Sequence, residues 1–537
     1  DDDQDAIAHR AITAQRFLSR LEYHSLRPQH REWLQRDSVK NLAKNLRGWT
    51  QTAVDYSRLL GQIERQESSA VDLAAIDIAD AAQSLRFADQ AAAQGVASAI
   101  DSHYRNANIR VALSDDFLER MLPATEPSRV PVTTQLLGSR VRGYSDVETR
   151  LAISLQPSTD RWSLHLRTVG HMQTRTVGTS SGVSIRTAGQ SEFSSATPIV
   201  VTKSGVHVSG SSVRLNQSNR LRGISSGYDD WPLIGSLVRS IATDRYRRLK
   251  PLADRITSRQ TEDQLARSVD DRVLETVNGA TSQLTQTVLG PLGRLKLQPQ
   301  VTDLQTTSER LIARYRLAGD WQLAAFTPRP RAPKESLMSL QVHQSAINNT
   351  VEQLLPRDHS KSVEDMLRDG LSMFGQSAVE LPEDMPADVS VRFARTRPVT
   401  VEIDDGEVWL TLRVAKLSKG RGLDLRKFIV RANFLPSVDG LDAQLHRQGH
   451  LQVSGPGMRM GDRLRIRAIF NKLISPNRPL PLTLPQLREH PRVQDLAISQ
   501  LELRDGWIGL AISKQYAPRI AMEKEFQRVS NHRVSNH

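Results

Sequence analysis

The chain of 537 residues contains no cysteine. Disulfides, thiolate nucleophiles and cysteine-ligated zinc or iron–sulfur centres are therefore excluded. Aromatic residues make up only 5%, too few for the stacked-ring platforms that hold single strands, which argues against nucleic acid as a partner. No run of about 18 apolar residues occurs, so nothing reads as a transmembrane helix. Phosphate-cradling glycine loops are missing too. So is an initiator methionine: the chain opens Asp1-Asp-Asp-Gln-Asp, as a mature protein does once its signal peptide is gone. Together with the lack of thiols, this sets the expected location outside the cytoplasm, in a periplasm or cell envelope.

What is present in excess is positive charge. The net charge is +13, and arginine greatly outnumbers lysine. Such a chain is drawn to polyanions, an anionic membrane surface or an acidic polysaccharide among them. The basic residues are dense at 239–259 and 459–467, and Arg245, Arg247 and Arg248 are the anion-binding candidates. A solvated face paired with neighbouring acids is the plainer reading of each stretch. Hydrophobic residues at 38% and charged residues at 24% are those of a globular chain. Its length suggests two to four domains.

Residues 1–105 read as helical. Proline is absent from His30 to Leu122, and alanine, glutamine, leucine and arginine dominate. Apolar residues recur at three- and four-residue spacing, with a break at Ser25-Leu26-Arg27-Pro28.

From Ile109 the texture changes to alternation, and landmarks begin to repeat. Ile109-Arg-Val111 precedes Ser114, a helical stretch and Pro123; Leu340-Gln-Val342 precedes Ser345, a helical stretch and Pro356. Trp162-Ser-Leu164-His-Leu166-Arg167 parallels Val408-Trp-Leu410-Thr-Leu412-Arg413, each after a turn. The run from Leu292 through Leu295, Pro299 and Val301 to Asp303-Leu304 matches that from Leu484 through Leu487, Pro491 and Val493 to Asp495-Leu496 without a gap. On that match Trp321 and Trp507 share equivalent strands, and Pro299 and Pro491 equivalent bends. Four landmarks in one order indicate duplication. Repeat one is 106–328, with a helical insert at about 231–290. A Pro/Arg-rich linker spans 329–337, repeat two spans 338–516, and a polar tail 517–537 follows.

Catalytic constellations are not found. Gly223-Ile-Ser225-Ser-Gly227 fits the nucleophile-elbow pattern, but Tyr228-Asp-Asp-Trp-Pro232 follows where a helix is required. His446 and His450 lack a zincin-type glutamate. The pairs Asp229-Asp230 and Asp404-Asp405 lack the spaced acids of a calcium loop. No catalytic residue, metal or cofactor is expected, and the protein reads as non-enzymatic.

The apolar stripes of the two short helices are the remaining candidates: Phe117, Leu118, Met121 and Leu122, and Ile347, Val351, Leu354 and Leu355. Such stripes either close a core or line a groove that accepts an apolar chain. A duplicated unit of helix and long antiparallel meander, with the helix opening Ser345-Ala-Ile347-Asn348-Asn-Thr-Val351, resembles the tubular lipid-binding (TULIP, BPI-like) superfamily. The resemblance covers about 106–516 and implies a curved sheet around a helix in each repeat, sheltering a lipid or other hydrophobic ligand. The expected fold class is α+β: an N-terminal helical region, then two duplicated units, each a short helix with a long curved antiparallel β-meander. The alternative is an envelope scaffold that binds anionic surfaces through arginine-rich faces. Oligomeric state is not legible.

Overall fold

The computed structural model describes residues 2–515 except 22–25, 27, 51–52, 69–73, 228, 231, 285–296, 356–359, 374–388, 421 and 484. Leu292, Leu295, Leu484, Pro356, the end of the 231–290 segment and the 517–537 tail lie outside the described residues.

Six helices come first: α1 (Asp2–Leu21), α2 (Pro28–Leu34), α3 (Asp37–Arg47), α4 (Tyr56–Ser68), α5 (Ala75–Arg86) and α6 (Ala91–Tyr104). Pro28 opens α2, where its missing N–H would have no partner anyway. Leu59, Ile78, Leu85 and Ile100 form the core of α4–α6. Ala75, Ala79, Ala93 and Ala97 stand between them, small enough to let the helices approach closely.

Repeat one then runs β1 (Ile109–Ser114), α7 (Asp115–Met121), β2 (Ser128–Leu136), β3 (Ser139–Leu155), β4 (Trp162–Ser180), β5 (Val183–Thr202), β6 (Gly205–Val208) and β7 (Ser212–Ser226). It ends with α8 (Pro232–Leu284), β8 (Gln298–Thr306) and β9 (Arg310–Ala318). Repeat two begins with β10 (Met338–His343), α9 (Gln344–Leu354), β11 (Lys361–Ser362), α10 (Val363–Met373) and β12 (Val389–Phe393). Its meander is β13 (Val399–Asp404), β14 (Glu407–Lys419), β15 (Leu423–Asp439) and β16 (Asp442–Ser454). It closes with α11 (Met460–Leu473), β17 (Leu480–Pro481), α12 (Pro485–Arg488), β18 (Leu496–Arg504) and β19 (Trp507–Lys514). The order strand, short helix, curled antiparallel meander, second helix, hairpin therefore occurs twice, and the α+β class with duplicated units holds. The stretch read as an insert in repeat one has a counterpart: α11, of 14 residues, stands where α8, of 53, stands.

One sheet carries the duplication in its strand order, β18-β19-β10-β1-β9-β8. At its centre β1 and β10 are antiparallel, with Ile109 opposite Val342, Val111 opposite Leu340, and Arg110 opposite Gln341. The sequence equates Ile109 with Leu340 and Val111 with Val342, so exchanging equivalents turns the pair Ile109–Val342 into the pair Leu340–Val111. That is the signature of a two-fold axis, here passing between Arg110 and Gln341. The Arg110 guanidinium donates to the Gln341 side-chain oxygen across it at 3.3 Å.

The hairpin landmarks hold as well: Trp162 opens β4 after the turn from β3, and β14 follows β13 through Asp405-Gly406. The match at the repeat ends is corrected. Pro299 lies inside β8, whereas Pro491 opens a 3-10 turn, Pro491–Val493. Trp507 begins β19, whereas Trp321 lies beyond the end of β9. An alternating strand matches itself when slid by two residues, so a similarity of that kind does not fix register.

By internal contacts the chain forms two compact units, one of 1–114, 283–304 and 312–537, the other of 115–282 and 305–311. In the first, the repeat-two meander encloses a buried apolar core that includes Leu417, Phe428, Val430, Phe434, Ile466 and Phe470. In the second, β2 to β7 form the order β2-β3-β4-β5-β6, with β7 also on β5.

Candidate functional site

Each short helix is laid along a strand edge that the meander leaves open. β2 pairs with β3 only as far as Val147, and beyond it the N–H of Ile153 donates to the Glu119 carboxylate of α7 at 3.0 Å. The Thr125 hydroxyl, just past α7, donates to the carbonyl of Thr149. In repeat two, among the described residues, β13 pairs only with β14. Its free edge is met by α9: the amide of Asn348 donates to the Val401 carbonyl at 3.0 Å and accepts from the Val401 N–H at 2.7 Å. Gln344 accepts from the N–H of Ile403 at 2.8 Å. An open edge exposes backbone donors and acceptors that would otherwise recruit another chain. Both helices spend polar side chains on closing it.

This inverts the usual arrangement in α9. Its buried residues are Ser345, Ala346, Asn348, Asn349 and Glu352. The Asn349 amide donates to the carbonyls of Leu317 and Leu323, and Glu352 accepts from Gln322 at 3.2 Å. Glu352 also pairs with Arg397 at 3.7 Å, both side chains being at most 3% exposed. Ile347, Val351, Leu354 and Leu355 are left on the other side, half-buried. A core helix normally buries its apolar stripe most deeply. Val351 and Leu355 nonetheless pack against the buried repeat-two core, and Leu354 packs with Leu297, Leu317 and Ala346.

In α7 only Phe117 is buried; Leu118 and Leu122 are half-buried, and Met121 is 36% exposed. The sheet it edges has an inner face of two characters. At the α7 end this face carries Leu151, Ile153, Leu155, Leu164, Leu166 and Ile199, aligned across β3, β4 and β5. Only Leu155 of these is fully buried. Further along, the same face carries Thr168, Gly170, Met172, Thr174 and Thr176 on β4, and Thr187, Gly189, Ser191, Phe193 and Ser195 on β5, bordered by Val147 on β3 and by Val213, Leu215 and Leu221 on β7. The hydroxyls of Ser145 and Thr174 lie 2.7 Å apart, and those of Thr176 and Thr187 2.8 Å. Those of Ser191 and Ser195 are buried without a hydrogen-bond partner among the described residues.

α8 crosses this face along β7 through polar contacts. Asn219 donates to Asp254 at 3.0 Å, and the Ser211 N–H to Asp270 at 2.9 Å. Val273 is its one fully buried large apolar side chain among those described. The three arginine candidates lie on the opposite, exposed side of α8. Arg248 is held by Asp244; Arg245 and Arg247 have no partner among the described residues.

Other motifs resolve as ordinary structure. Ser225 is paired with Ser184 inside the β5–β7 ladder, so it sits on no strained turn. His446 and His450 share one strand, β16. No group of side chains able to hold a metal is found among the described residues. Nor is any described helix long and apolar enough to cross a membrane. The two-character inner face is what sequence reading missed, although it is written in Thr168-x-Gly170-x-Met172-x-Thr174-x-Thr176, an alternation in which Met172 is the one large apolar residue.

No protein-family model and no curated protein matches the chain. Among solved structures, it is similar to the crystal structure of lipopolysaccharide binding protein, at 11% identity and a TM-score of 0.29, over 77% of this chain and 100% of that one. It is also similar to P47 of Clostridium botulinum E1, at 7% identity and a TM-score of 0.22, over 77% of this chain and 100% of that one.

Proposed function

We propose that this protein is a non-enzymatic, extracytoplasmic carrier of an amphiphilic lipid, held on the inner face of the repeat-one meander. The observation that carries the reading is the change of character along that face. Half-buried leucine and isoleucine side chains at the α7 end suit an acyl chain. The remainder, where threonine and serine hydroxyls stand among Met172, Phe193 and Leu215 and Ser191 and Ser195 lack partners among the described residues, suits a polar headgroup. An ordinary core would bury the apolar end and would not line the rest with threonine and serine. The absence of thiols fits the extracytoplasmic placement.

Organic extraction of natively purified protein, followed by mass spectrometry, tests this. A long-chain amphiphile should be recovered, and Leu166→Trp should abolish its recovery with the fold intact, because the ring occupies the space of the chain. Val351→Trp is the contrast: it overpacks the buried repeat-two core, lowering stability by roughly 1–3 kcal/mol while leaving lipid recovery unchanged. Absence of lipid from the parent extract, with Leu166→Trp as destabilised as Val351→Trp, would overturn the proposal.

A further inference from the structure

The outward side of α8 departs from an ordinary solvated helix in its first half. Leu237, Ile241 and Leu252 are 62%, 60% and 48% exposed. Around them stand Arg245, Arg247, Arg255 and Arg259, all exposed and without partners among the described residues. The cations with acidic partners are on other ground: Arg239 is drawn to Asp229, and Lys250 to Asp254, which itself bonds Asn219. The one acid on this outward stretch, Asp244, is taken by Arg248. The second half of the helix is balanced, with Asp263 and Asp271 exposed beside Arg267 and Arg272.

The same combination recurs in the equivalent helix of repeat two. Met460 and Leu464 of α11 are 65% and 54% exposed, one helical turn apart as Leu237 and Ile241 are. Exposed Arg463 and Arg465 flank them, without partners among the described residues. Two second helices with little sequence in common thus both combine bare apolar side chains with uncompensated arginine.

We infer that the first half of α8 is a docking surface for an anionic phospholipid bilayer. Arginine alone would suit any polyanion. Leucine and isoleucine between the arginines gain nothing from a nucleic acid or polysaccharide, but enter the headgroup–acyl boundary of a bilayer while the guanidinium groups stay with the phosphates. The docking is independent of the carrier reading, since it uses the side of α8 turned away from the inner face.

The test uses the full chain and flotation with vesicles of phosphatidylcholine, with or without phosphatidylglycerol. Protein should float only with the anionic vesicles, and less as salt rises. Each arginine replaced in Arg245→Ser, Arg255→Ser and Arg259→Ser should weaken binding roughly fivefold. The paired change Leu237→Ser and Ile241→Ser should also release the protein, with the circular dichroism spectrum unchanged. Because the chain has no cysteine, Ile241→Cys accepts a single environment-sensitive fluorophore. Its emission should rise and shift to the blue on anionic vesicles, and the same label at Gln264→Cys should stay unchanged. Failure to float overturns the inference. So does binding that survives the apolar substitutions, is lost with the arginines and is competed equally by heparin or DNA, for that marks a general polyanion site.

Discussion

Tyr104 ties the helical region to the segment that follows β9. Its ring packs against Phe326, with centroids 5.9 Å apart, and its hydroxyl donates to the Glu67 carboxylate. Burial, then this hydrogen bond, pushes the phenol up to about 12 from its ordinary 10.0. The sign follows from which state releases the proton first. The unfolded chain ionises near 10 and the folded one near 12, so the contribution of Tyr104 is complete below 10 and is lost as pH rises from 10 to about 12. Tyr104→Phe should lower stability at neutral pH by about 1 kcal/mol and should remove this part of the alkaline loss. Urea melts of both proteins through that window measure the difference; parallel alkaline curves would show that the phenol does not contribute. Nothing in the sequence around Tyr104 names Glu67 or Phe326. The helical periodicity made position 104 legible as part of a helix, but not as a hydrogen-bonded anchor.

At the scale of elements, the two short helices show why a correct helix assignment still misjudges a face. Spacing alone selected Ile347, Val351, Leu354 and Leu355 as the stripe of α9, and they do share a side. The deeper burial belongs to Asn348, Asn349 and Glu352, because β13 needs its edge closed and the carbonyls of Leu317 and Leu323 need donors. Asn348→Ala removes both bonds to Val401 and leaves its N–H and carbonyl unsatisfied beside the helix. A loss of about 2–3 kcal/mol is expected, read by denaturant melts, with hydrogen exchange quickening first at Val401. Asn348→Leu, which keeps the volume but neither bond, should lose a similar amount. Unchanged stability in Asn348→Leu would mean that packing rather than edge closure holds α9. The edge was invisible in the sequence because strand pairing partners are set by tertiary arrangement.

The β1–β10 contact joins the opening strands of the two copies in one sheet. Removing one copy should expose that seam. A fragment of residues 335–516 keeps β10, β18 and β19 but presents the side of β10 that β1 covered. Since β10 already pairs antiparallel about Gln341 with its own equivalent, two fragments can pair with each other in the same register and convert the internal two-fold into a true one. Light scattering on the purified fragment should give a dimer that Gln341→Pro reduces to monomer or aggregate, because proline removes a ladder donor at the axis. A well-behaved monomer before that substitution would show that the seam is not adhesive.

Composition and order determined much by themselves. The absence of cysteine excluded whole chemistries, alternation located the meanders, and the repeated strand–serine–helix opening identified the duplication and equated Ile109 with Leu340. These are local properties, fixed by the period of side chains along the backbone and by the residues that start and stop helices. Tertiary structure alone decided the rest: the register that separates Trp321 from Trp507, the edges that turn polar residues of α7 and α9 inward, and the difference between a buried apolar repeat-two core and a repeat-one face that carries hydroxyls among its apolar residues. Each depends on which strand lies beside which, and a two-residue period repeats too often along the chain to specify its partner.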